Sequence, residues 1–154
     1  MARVSIEVRL PKLPNMDFDL TPEFKIAADV IAAEMRGNIT KGVNVDELSP
    51  LRPNAPSVAR RKFEKFGHAR PLIAEHRKFI EKASYIIRVI RRNFVQLSMS
   101  QSVHPDSKIS IARLGQIHND GEGRKHKREF WGVSPTAFKR IRSKIADRIT
   151  RLLK

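Results

Sequence analysis

From Arg3 to Leu10 apolar Val4, Ile6, Val8 and Leu10 alternate with polar Arg3, Ser5, Glu7 and Arg9. A period of two predicts a half-buried strand, and Pro11 and Pro14 end it. Thr21-Pro22-Glu23 then reads as a helix start: a hydroxyl cap, proline in the first turn and an acid near the positive end of the dipole. Phe24, Ala27, Ala28, Ile31 and Met35 follow at helical spacing, and Gly37 is placed to close that helix. From Asn38 to Ser57 the periodicity disappears, and Gly42, Pro50, Pro53 and Pro56 predict a long loop over 38–57. Ser57 is placed to cap a short basic helix, Val58 to Phe66, stopped by Gly67, and a second short helix is expected from Pro71 to Lys82.

Tyr85-Ile86-Ile87-Arg88-Val89-Ile90 is rich in β-branched and aromatic residues, and Phe94 to Met99 alternates behind it. With Arg91-Arg92-Asn93 between them, the two runs predict a β-hairpin. Ser107 to His118 is expected to be helical, with Ile109, Ala112 and Ile117 close to one face, and a polar basic loop over 119–128 follows. Ser134-Pro135 opens a C-terminal helix with an apolar stripe of Phe138, Ile141, Ile145, Ile149 and Leu152. Its other face carries Lys139, Arg140, Arg142, Lys144, Arg148 and Arg151. The expected fold class is α+β: a small, mainly antiparallel sheet with a hairpin, packed by an N-terminal and a C-terminal amphipathic helix. A chain of 154 residues fits a single domain, 1–154, with an N-terminal strand or arm over 1–20.

Composition adds one feature the pattern lacks. Against 31 basic residues stand 16 acidic ones, a net charge of +15, and the excess is uneven. Residues 1–57 carry a net of −1, residues 58–98 a net of +8, and residues 107–154 a net of +9. Such asymmetry points to a polyanion or an acidic protein surface as partner. The chain has no cysteine, so disulfides and thiolate metal sites are excluded. No apolar run approaches the ~18 residues that span a bilayer, and the alternating N-terminus does not resemble a secretory signal. No membrane association is expected, because the stripe on the last helix suits a protein core.

Signs of catalysis or of a cofactor are lacking. The seven glycines form neither a phosphate-binding loop nor a dinucleotide fingerprint. There is no nucleophile elbow. His68, His76, His104, His118 and His126 lack metal-ligand spacing, and His118 reads as a helix-end histidine bonded to backbone. Asp17 and Asp19, like Asp46 and Glu47, read as turn or cap carboxylates. No enzyme activity, metal or cofactor is expected. Candidate residues facing DNA or an acidic partner are Arg91, Arg92, Arg124, Lys125, Lys127 and Arg128. Tyr85 and Trp131 alone do not make a base-stacking platform, so nucleic-acid contact would be electrostatic and insensitive to sequence.

Three stretches, in order, resemble the tail-completion or virion-morphogenesis proteins of tailed phages and Mu-like prophages. The first is Leu48-Ser49-Pro50-Leu51, followed by Arg61-Lys62 and then Gly67-His68-Ala69-Arg70-Pro71-Leu72-Ile73. The second is Ile111 to Gly121, IARLGQIHNDG, and the third Lys127 to Ser134, KREFWGVS, ahead of the terminal helix. The likeness covers roughly residues 22–154, with Pro71, Leu72, Ile117, His118, Gly121, Arg128, Phe130 and Gly132 at motif positions. Ala74-Glu75 and Asp120 depart from the family pattern.

The resemblance implies a structural virion protein, made in the bacterial host cytoplasm and carried in the tail or neck. It would form a ring, commonly of six copies, on the tail terminator and help join the tail to the head-closure or connector proteins. Such a ring needs two different contact surfaces per subunit. Loops 42–56 and 121–128 are candidate contact arms, and packaged DNA is a further nonspecific partner for the positive charge. Two other functions remain open: a nonspecific basic nucleic-acid-binding protein, and another neck component such as a tail terminator or head-closure protein.

Overall fold

The computed structural model describes residues 5–9, 18–73, 77–105, 107–122 and 127–152, without the side chains of Val8 and Arg9. Of the first predicted strand, Ser5–Arg9 forms β1, and Arg3, Val4 and Leu10 lie outside the described residues. The hairpin forms as expected, with β2 (Tyr85–Arg91) and β3 (Phe94–Met99). The sheet is antiparallel in the order β1-β3-β2, so the predicted α+β class holds. Pairing aligns Ile6, Leu97 and Ile87 on one face and Glu7, Gln96 and Arg88 on the other. The period of two thus turns the aliphatic face toward the core, where Val95, Leu97 and Met99 are buried.

Helix α1 (Thr21–Lys41) covers that face with Phe24, Ala28, Ile31, Ala32 and Met35. Gly37 does not end it. The helix runs one turn further because Asn38 and Ile39 are buried, and Gly42, at φ 80°, takes the left-handed cap position. The Thr21 hydroxyl does not cap the helix either: it accepts a hydrogen bond from the Asn93 backbone N–H, while Asp19 Oδ1 accepts from the Thr21 N–H.

The expected loop over 38–57 is shorter than its lack of periodicity predicts. Residues 38–41 belong to α1, residues 43–50 close into a tight turn, and α2 (Pro56–Phe66) begins at Pro56 rather than after a Ser57 cap. Gly67, at φ 69°, ends α2 as expected. The helix expected over 71–82 is not present among the described residues. Leu72 and Arg77 have left-handed backbones (φ 59° and 47°) that interrupt it, and only a 3-10 turn, Lys82–Ser84, forms. Tertiary burial wins here: Leu72, Ile73 and Phe79 enter the core, and the Tyr85 hydroxyl donates to the Phe79 carbonyl at 2.7 Å.

Helix α3 (Ile111–Asp120) starts later than predicted, because an antiparallel bridge from Val103 to Ser110 and the left-handed Lys108 (φ 55°) hold the preceding residues in a turn. Ser110 caps it by accepting from the Arg113 N–H. Asn119 and Asp120 are its last residues, not part of the basic loop.

Helix α4 (Pro135–Leu152) lies along α1 and packs Ile141, Ile145, Ile149 and Leu152 against the first core cluster. Phe138 was expected in that stripe but is 59% exposed; Ala137, fully buried, takes the core position where α4 approaches α1. Glu23 and Glu34 of α1 pair with Arg148 (3.0 Å) and Arg140 (2.5 Å) of α4. A second cluster, holding Ile39, Leu51, Ile73, Phe79, Met99, Ile111 and Phe130, sits beside the first, and Trp131 packs on both.

Candidate functional site at the Arg128 clasp

The segment from Lys127 to Ser134 links α3 to α4 without forming helix or strand and ties separate parts of the chain together. Its anchor is Phe130, fully buried and 5.4 Å from Phe79 between ring centroids. Alternation then fixes what its neighbours do. Arg128, two residues before Phe130, also points inward and is only 4% exposed, while Lys127 and Glu129 point outward and pair with each other.

A buried guanidinium must spend its donors. Arg128 Nε donates to the Arg52 carbonyl (2.8 Å), and Nη2 donates to the Pro53 carbonyl (3.2 Å) and to Asn54 Oδ1 (3.1 Å). Nη1 lies 3.4 Å from Nδ1 of His118, and the Arg128 backbone N–H donates to the His118 carbonyl at 2.8 Å. Among the described residues no carboxylate pairs with it. Burial, and then the nearby Arg52, hold its pKa below the usual guanidinium value. Lys62 is close enough to feel the same charge: burial first, then Arg128, lowers its pKa, and its Nζ donates to the Arg70 carbonyl. Asn54 completes the link by donating from Nδ2 to the Ala69 carbonyl at 2.9 Å.

The rest of the segment makes further ties. The Trp131 backbone N–H donates to Asn119 Oδ1 (3.0 Å), and the Trp131 ring stacks on Tyr85 at 6.0 Å and 6°. The Glu129 carbonyl accepts from the Val45 N–H at 2.6 Å. Gly132 is a close approach: a Cβ there would stand 3.0 Å from Val45 Cγ2. Gly121 combines φ 74° with a would-be Cβ 2.9 Å from the Lys127 backbone nitrogen, so only glycine fits where the chain turns out of α3. Glu47 Oε2 accepts from both the N–H (3.2 Å) and the hydroxyl (2.8 Å) of Thr136, closing the first turn of α4 from the loop. Burial works to raise the Glu47 pKa, but hydrogen bonds from Ser134 and Thr136 outweigh it and leave the carboxyl below the usual range.

The motif positions therefore divide by role. Leu72 and Phe130 fill the core, Gly121 and Gly132 permit close backbone approach, and His118 and Arg128 hold the clasp. Pro71 stands half-buried in the turn before Leu72, and Ile117 is half-buried, its carbonyl accepting from the Gly121 N–H at 3.0 Å.

The basic candidates separate too. Arg91 and Arg92 are exposed at the hairpin turn, with the Arg91 guanidinium 5.7 Å over the Phe94 ring. Lys127 is exposed but paired with Glu129, whose hydrogen bond and charge raise its pKa. Arg128 is a correction: it faces neither solvent nor a partner, because its position beside Phe130 takes it into the interior. Arg124 and Lys125 lie outside the described residues. His118 stands at the helix end as expected, yet its ring meets Arg128 and, edge-on, Phe79.

Sequence reasoning missed Glu47 as the partner of α4, and Asn54 and Lys62 in the clasp. Their partners lie 89, 74 and 8 residues away, and nothing local marks them. Among the described residues no group of three or more His, Asp or Glu side chains could hold a metal ion, and no helix is long and apolar enough to cross a membrane. No family model, no curated protein and no solved structure matches this chain.

Proposed function

We propose that this chain is a structural virion protein of a tailed phage or prophage, completing the head-proximal end of the tail and joining it to the head connector as part of a ring. One observation carries the reading. The stretches that resemble the tail-completion proteins, far apart in sequence, converge: Leu51, Leu72, Ile73, Ile111, Ala112 and Phe130 share one core cluster. Arg128 and Trp131 then bind His118 and Asn119 at the end of α3. The likeness requires such convergence, and the shared core supports it. The Arg128, Asn54 and Asn119 side chains of that unit bond to other groups of the chain, which fits a part whose task is to hold shape and present surfaces.

In this reading the partners are further copies of the chain, the tail terminator, and the head-closure or connector proteins. No catalytic step and no cofactor is part of it. Six copies of a +15 chain would bring about +90 to a channel through which DNA passes. Arg91 and Arg92 at the hairpin turn and Lys139, Arg142, Lys144 and Arg151 on α4 are among the exposed cations that would face it.

Those exposed cations also favour a second reading, a nonspecific nucleic-acid-binding protein. Light scattering on the eluting protein, with a duplex-DNA titration at two salt concentrations, separates the two. A ring, or a monomer inert toward DNA, is the expected result. A monomer that binds DNA tightly with a steep loss in salt would overturn the ring reading.

A further inference from the structure

Helix α2 is out of keeping with the rest of the fold. It has 11 residues, none of them buried, and Phe63 in its middle is 64% exposed. Ala59, Phe63 and Phe66 recur at helical spacing, so the helix has an apolar face. An isolated helix of this length is marginal in water, and most helical stability comes from packing such a face. The inward ties around α2 are polar: Lys62 to the Arg70 carbonyl, with Asn54 to Ala69 just before it. Around Phe63 stand Arg60, Arg61 and Lys65, all exposed, with Glu64 the single acid of the helix.

A second exposed apolar residue has the opposite surroundings. Leu48 is 88% exposed, at the tip of a turn with Asp46 and Glu47 and no basic residue between 42 and 51. This tip is rigid. Asp46 Oδ1 accepts from the Leu48 and Ser49 N–H groups at 3.0 Å each, and the Ser49 hydroxyl closes on the other carboxylate oxygen. The Asn44 N–H donates to the Ser49 carbonyl, and Glu47 fixes the turn to α4. A leucine presented this way loses little freedom when it docks. Two other exposed apolar residues, Val133 (42%) and Phe138 (59%), flank the Thr136 to which the turn is bound.

The geometry points to a head-to-tail contact between copies of this chain, in which the Leu48 tip of one subunit docks on the apolar face of α2 of the next, around Phe63. Charge selects this pairing. The tip carries Asp46 and Glu47, with Lys41 near Glu47 at the base of the turn, whereas residues 56–66 carry four bases and one acid. Tip against tip or helix against helix would oppose like charges, whereas tip against helix opposes unlike ones. The two surfaces differ, so the contact is heterologous and passes from copy to copy, as the ring reading requires. This assignment rests on the ring reading above and names its interface.

The chain has no cysteine, so disulfide capture reports the contact directly. Leu48→Cys and Phe63→Cys proteins, mixed under mild oxidation, should give a mixed dimer severalfold faster than either alone. Pairing Phe63→Cys with Val103→Cys, a residue 64% exposed elsewhere, sets the background. A chain carrying both Leu48→Cys and Phe63→Cys should give a ladder beyond the dimer, weakened as salt rises. All these sites are exposed, so loss of folding is not a concern. A mixed dimer no faster than the Val103 control, or a doubly substituted chain that stays monomeric, overturns the interface. Amine cross-linking of the unsubstituted protein tells the two failures apart. Oligomers captured there without the disulfide sink this interface alone, whereas a monomer that binds DNA tightly sinks the ring reading with it.

Discussion

The Arg128 guanidinium lies 3.4 Å from His118 Nδ1 while the Arg128 backbone N–H donates to the His118 carbonyl, so one residue grips both the ring and the backbone of another. Facing a cation, Nδ1 of His118 acts as an acceptor, which places the proton of a neutral ring on Nε2.

Replacing Arg128 should therefore be costly. Arg128→Met would strip hydrogen bonds from the carbonyls of Arg52 and Pro53 and from Asn54, a loss of about 2–4 kcal/mol. Arg128→Lys should recover only part of it, since an ammonium cannot match the planar fork. Arg91→Ala and Arg92→Ala, at exposed positions, should stay within about 0.5 kcal/mol of the parent. Urea midpoints of the four variants check the order.

Two glycines in helices should respond with opposite sign. A Cβ at Gly115 would stand 2.5 Å from Met99 Sδ and 3.6 Å from Phe130 Cζ, whereas one at Gly37 meets nothing within 4 Å. Gly37→Ala should stabilise by about 0.5–1 kcal/mol through the unfolded state. Gly115→Ala should destabilise by about 1–2 kcal/mol, moderated by the adaptability of methionine. Thermal melts of the two variants would show midpoints shifting in opposite directions.

Asn93 should be the most sensitive turn residue. Its backbone is left-handed (φ 57°), its Oδ1 accepts from the Leu20 N–H, and its Nδ2 donates to the Phe18 carbonyl. Asn93→Gly keeps the backbone and loses the bonds, about 1–2 kcal/mol. Asn93→Ala adds the backbone strain, about 1 kcal/mol more. Chemical denaturation should rank the parent above glycine and glycine above alanine; equal stabilities would show that the tie to α1 contributes nothing.

Acid should loosen the turns before the core. Hydrogen bonds from the Thr21 side chain and backbone lower the Asp19 pKa, and those from Ser49 and Leu48 lower that of Asp46. The Glu47 carboxyl is lowered as well. A carboxylate with a depressed folded-state pKa contributes stability above its ordinary value of 3.8 (4.5 for Glu47), and that contribution is lost as pH falls through the folded value. Stability should fall below about pH 4 and fall less in Glu47→Gln, which has already lost its charged cap on α4. Unfolding free energies measured from pH 6 down to pH 2.5 read this out.

Local pattern determined more of this protein than its composition suggests. Alternation in Ile6, Val95 and Leu97 set the sheet and its buried face, because a strand has only two sides. The 3.6-residue stripe of α1 and of Ile141, Ile145, Ile149 and Leu152 set the helices that cover it. Glycines at 42, 67 and 121 set the helix ends, although which glycine ended α1 depended on the burial of Asn38 and Ile39. Tertiary structure alone decided the rest. Arg128 reads in sequence as one more cation of a basic run, and only the burial of Phe130 two residues later takes its guanidinium inside to find two carbonyls and the Asn54 amide 74–76 positions away. Charge is visible in a sequence, but whether it faces solvent depends on the neighbouring side chain that fills the core.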